Sequence, residues 1–165
     1  MILNRQRAVR VVRRPLETFL HIVERELGLG ASDVTICLVS DSEIARMNEA
    51  FRGKKGPTDV LSFPAEKQGA VLLSGKKRTK TRETKGAEKG RGEAKARATE
   101  RYLGDIAIAP LTAERYAKKN GRSLNNELRV LILHGVLHLM GYDHETDRGE
   151  MNRIEQKMRR RFRLS

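Results

Sequence analysis

The apolar residues recur in two rhythms. From Pro15, Leu16, Phe19, Leu20, Val23 and Leu27 repeat at helical spacing, and Gly28 and Gly30 end the pattern. The basic segment before Pro15 leaves room for an edge strand. "DVTICLVS" reads as a half-buried strand, and Ser40 with Glu43 makes a capping-box signal for a helix turning Ile44, Met47 and Phe51 to the core. "TDVLSF", closed by Pro64, and "YLGDIAIA", from Tyr102, read as two more strands. A helix from Leu111 breaks at "NGRS". Ser123 then opens a helix to Met140 that is apolar nearly all round, the mark of an element buried mid-domain. The last helix presents Met151, Ile154, Met158 and Phe162 on one face and ends in "RRRFR", which suits a helix C-terminus.

Between "TDVLSF" and "YLGDIAIA" the pattern stops. Residues 76–101 contain no Val, Ile, Leu, Met or aromatic side chain, but eleven basic and four acidic ones. A segment with nothing to bury cannot offset the entropy lost on ordering, so a disordered basic insert is expected at about 67–101 within one domain spanning 1–165. The whole chain carries +13, of which residues 76–101 supply +7, and the remainder is moderately basic. Such a surface concentrates polyanions, nucleic acid first and acidic lipid second. The insert has no aromatic residue for base stacking, which leaves electrostatic contact to phosphates.

The single cysteine, Cys37, excludes an intrachain disulfide and sits where a small core residue belongs. No opening stretch is apolar enough for a signal peptide. The longest apolar run, Val130 to Met140, is interrupted by two histidines and a glycine. The expectation is a soluble cytoplasmic protein.

Three of the four histidines lie in "HGVLHLMGYDH", residues 134–144, while His21 falls off the apolar stripe of its helix and reads as solvated. His134 and His138 are four apart. Four residues advance a helix by ~6 Å and rotate it by roughly 40°, so both imidazoles leave one face and can share an ion. His144 can join them only if the helix stops, and Gly141 is suited to the left-handed conformation that lets the chain turn back. Three neutral imidazoles suit one zinc ion, other first-row divalent ions being admitted too, and they leave a position open for water. The spacing is that of a metzincin protease with Gly135 in place of the glutamate that takes a proton from water. Loss of that acid/base counts against peptide hydrolysis. Phosphodiester hydrolysis relies more on metal, cation and positioning, so a nearby cation is expected, with Asp143 a candidate for orienting a ligand.

With "NEAFRGKKGPTDVLSFP" (48–64) and "LGDIAIA" (103–109), this motif resembles the YbeY family of bacterial metal-dependent endoribonucleases of ribosomal RNA maturation. The resemblance spans nearly everything outside the insert. It implies an α+β fold, with a small mixed β-sheet, packed helices and a zincin-like metal-binding helix. It also implies a zinc site of His134, His138 and His144, and a functional arginine that maps to Arg52, whose guanidinium fork would hold the scissile phosphate. Thr58 and Asp59 match as well and read as loop and strand-start structure. Family members are similar in acting on single-stranded RNA, in processing the 3′ end of small-subunit (16S) ribosomal RNA and in ribosome quality control. The partners implied are precursor ribosomal RNA and the ribosome or its small subunit, with no membrane and no DNA. The competing classes are a ribosome-assembly factor with a mainly structural metal and a metalloprotease-like hydrolase, the latter disfavoured by Gly135.

Overall fold

The computed structural model describes residues 1–30, 33–65, 102–143 and 147–164. The insert expected at about 67–101 lies outside the described residues, and so does His144. Strands β1 (Ile2–Asn4), β2 (Val34–Leu38), β3 (Val60–Pro64) and β4 (Gly104–Ile108) form one sheet in the order β1-β2-β4-β3. β1 and β4 run parallel to β2, whereas β3 pairs antiparallel with β4. Among the described residues five helices accompany it: α1 (Arg13–Glu26), α2 (Asp41–Arg52), α3 (Pro110–Lys119), α4 (Leu124–Leu139) and α5 (Glu150–Phe162). The α+β class with a small mixed sheet is therefore observed.

The side-chain period of two sorts the sheet into unequal faces. Val34, Ile36, Leu38, Ile106 and Ile108 point to one face and join the apolar stripes of α1, α4 and α5 in the main core. Cys37, Ala107, Leu61 and Phe63 point to the other, where Ile44 and Met47 of α2 cover them in a smaller cluster. Burial pushes the Cys37 thiol up to about 11, as expected of a core residue without thiolate character. Pro64 lacks an N–H to donate and ends β3, which lies at the sheet's edge, where that lack is harmless.

Local signals account for most boundaries. Ser40 and Ser123 accept from the amides of Glu43 and Asn126, each at 3.2 Å, as side-chain caps of α2 and α4. α1 begins two residues before Pro15, which then occupies the first turn, where its missing N–H costs nothing. Phe51 departs from expectation. It is 50% exposed and reaches the core only edge-on, against Phe63 at 5.0 Å, because it lies in the last turn of a helix over the sheet's edge. Among the described residues, no helix is long and apolar enough to cross a membrane.

Candidate functional site

Helix α4 buries residues around nearly its whole circumference, and His134 and His138 occupy the strip left half-buried. Their Nε2 atoms face each other at 3.1 Å, with rings nearly perpendicular at 78° and centroids 4.6 Å apart. Two imidazole nitrogens bound at the usual ~2.0–2.1 Å to a tetrahedral ion would stand ~3.3 Å apart. The donor chemistry and the convergence of the pair both fit a shared first-row divalent ion.

After Leu139 the helix stops as its glycine foreshadows. Gly141 has φ +93°, its amide donates to the His138 carbonyl at 3.0 Å, and the Tyr142 amide donates to the Leu137 carbonyl at 3.1 Å. This Schellman pair satisfies the last carbonyls of α4 and reverses the chain. Asp143 is the last residue described before His144, and its carbonyl accepts from the Asp147 amide at 2.8 Å where the description resumes.

Gly135, between the two imidazoles, has a packing reason. A Cβ built there would lie 2.8 Å from Cδ1 and 2.9 Å from Cγ2 of Ile106 in β4. The Ser62 hydroxyl donates to the Gly135 carbonyl at 3.3 Å, so α4 is pressed on both β3 and β4 at this point. A glutamate in this position could not keep that approach, and no acid/base group is available from it.

Glu155 of α5 was not singled out from sequence. Its Oε2 accepts from His134 Nδ1 at 3.0 Å, and its Oε1 accepts from Arg159 Nη2 at 2.6 Å. Burial pushes the Glu155 carboxyl up, but the bond from His134 and the Arg159 charge outweigh this and hold it below the ordinary carboxylate value. A signal existed. Glu155 follows Met151 by four and precedes Met158 by three, placing a carboxylate on the apolar stripe of α5.

Arg52 is the last residue of α2 and is exposed, beside exposed Lys54 and Lys55. Buried Asn48 ties this loop down, its Nδ2 donating to the Gly56 carbonyl at 3.0 Å. α2 and α4 lie on opposite faces of the sheet, and β3 touches both through Phe63 and Ser62. The structure thus brings His134 and His138 together, while Arg52 ends a helix that packs on the other face of the sheet. Asp59 fits its structural reading: its Oδ1 accepts from the Thr58 hydroxyl and the Val60 amide at the start of β3.

A family model described as Endoribonuclease YbeY matches residues 2–163. Among curated proteins, the chain is 35% identical over 164 residues to Endoribonuclease YbeY of Koribacter versatilis, covering 99% of this chain and 86% of that one. It is 36% identical over 132 residues to Endoribonuclease YbeY of Nautilia profundicola, covering 80% and 73%. A solution structure of a Thermotoga maritima protein is similar at TM-score 0.53 and 29% identity, over 95% of this chain and 85% of that one.

Proposed function

The chain belongs to the YbeY endoribonuclease family, and from that membership and the histidine geometry we propose a zinc-dependent endoribonuclease that cuts single-stranded precursor ribosomal RNA. The site would process the 3′ end of small-subunit RNA and serve ribosome quality control in the cytoplasm, on RNA or ribosomal particles, with neither DNA nor membrane as partner. The observation that carries the reading is the pair of Nε2 atoms at 3.1 Å on a buried helix that ends in a reversing turn.

His134, His138 and His144 would hold one divalent ion. When bound, the ion supplies a Lewis acid that polarises the phosphate and acidifies water. The chain's own groups do the rest. The buried packing of α4 holds the two imidazoles so that little ordering entropy is lost when the site fills. Arg52, with Lys54 and Lys55 in the loop that follows it, would neutralise phosphate oxygens and steady the charge that develops on them. The absence of a carboxylate at Gly135 suits a reaction whose leaving oxygen needs less help from an acid than an amine does. The basic insert would add nonspecific phosphate contacts and raise the encounter rate.

The test is cleavage of end-labelled precursor small-subunit RNA by purified protein, beside a chelated sample and an identically purified His138→Ala protein. Cutting that vanishes in both controls supports the reading. Cutting that persists in both belongs to a contaminant and refutes it. RNA binding without cutting in any sample favours an assembly factor with a structural metal.

A further inference from the structure

Helix α5 does more than close the core. We propose that Glu155 is a positioning residue for the metal site: it fixes His134 as the Nδ1–H tautomer, so that the bare Nε2 lone pair faces His138, and Arg159 fixes Glu155. The proposal rests on the metal-site reading above and adds to it a residue outside the histidine motif.

A neutral imidazole carries one N–H and one lone pair. In water the proton favours Nε2, the nitrogen that must be bare here, so a site built from Nε2 atoms needs something to draw the proton to Nδ1. The Glu155 carboxylate, 3.0 Å from His134 Nδ1, is that acceptor. It lies on the ring edge away from the Nε2 pair, so it orients the ligand without competing for the ion. Its reach is set by tertiary structure rather than by chance rotamers. Glu155 stands 21 residues after His134 on another helix, which Met151 and Met158 anchor in the core and Phe162 holds edge-on against Phe19 of α1 at 5.3 Å. Arg159, one turn later, takes the second carboxylate oxygen at 2.6 Å and keeps the group from swinging away. Only 14% of the Glu155 side chain is exposed, so water competes weakly for it.

The proposal leads to two independent readouts. In the metal-free protein labelled with 15N-histidine, long-range NMR should find the proton of His134 on Nδ1, and Glu155→Ala should move it to Nε2. Zinc affinity, measured by competition with a chromophoric chelator, should fall about 10–100-fold in Glu155→Ala. Glu155→Gln, whose amide oxygen still accepts, should recover most of that loss, a rescue that a merely structural role would not show. The proposal is overturned if His134 of the unmodified protein is an Nε2–H tautomer, or if Glu155→Ala binds zinc as tightly as the parent. Should Glu155→Ala fail to fold, the parent's tautomer and the Gln variant decide. Failure of the metal-site reading looks different: the parent protein, with His134 in the expected tautomer, would bind no zinc at all.

Discussion

Two histidines in this protein make the same bond. His21 Nδ1 lies 3.0 Å from Glu24 Oε2, and His134 Nδ1 lies 3.0 Å from Glu155 Oε2. The first pair is local, three residues apart on one helix, with the His21 side chain 58% exposed. The second joins two helices across 21 residues, and the other nitrogen of its ring faces a second imidazole at 3.1 Å. A carboxylate on a histidine is therefore common furniture. What distinguishes His134 is that the bond on one side of the ring orients a lone pair on the other, toward a partner that a metal could bridge.

The contrast can be broken at several points. His138→Ala removes the facing nitrogen and should abolish stoichiometric zinc binding, read by competition titration, while the Tm moves little because the site is half-buried. Arg52→Ala should lower the rate of RNA cleavage by about 100-fold with zinc affinity unchanged, since it would act on the phosphate and not on the ion. Equal losses in cleavage and zinc affinity would place Arg52 in the metal site instead. Gly135→Ala should destabilise the fold by about 1–2 kcal/mol, the clash with Ile106 exceeding the roughly 1 kcal/mol gained in helix propensity. Thermal unfolding would show it, and a rise in Tm would mean that α4 is not pressed on β4. His21→Ala closes the series: it takes the partner from the buried Glu24 carboxylate and should cost about 1–3 kcal/mol of stability, with cleavage and zinc binding untouched. An effect of His21→Ala on metal binding would erase the distinction between the two regions.

Much of the fold was legible because its signals are local. The stripe of α1, the serine caps of α2 and α4, the apolar girth of α4 and the turn at Gly141 each depend on residues within a few positions of one another. The pairing of His134 with His138 is equally local, since helical geometry alone sets it. Phe51 departs from its stripe because periodicity assigns a residue to a face and cannot say where the sheet beneath that face ends.

By itself, then, the amino-acid order determined the elements, the histidine face and the point where its helix must stop, because backbone sterics and hydrogen bonding act over single turns. Only the tertiary structure decided that α2, which ends in Arg52, and α4, which carries the histidines, pack on opposite faces of the sheet, that Gly135 is the contact of helix with sheet, and that a carboxylate from the last helix meets His134. Those outcomes depend on which surfaces pack together. Packing is chosen by the burial of the whole core at once, and no local window of sequence contains that information.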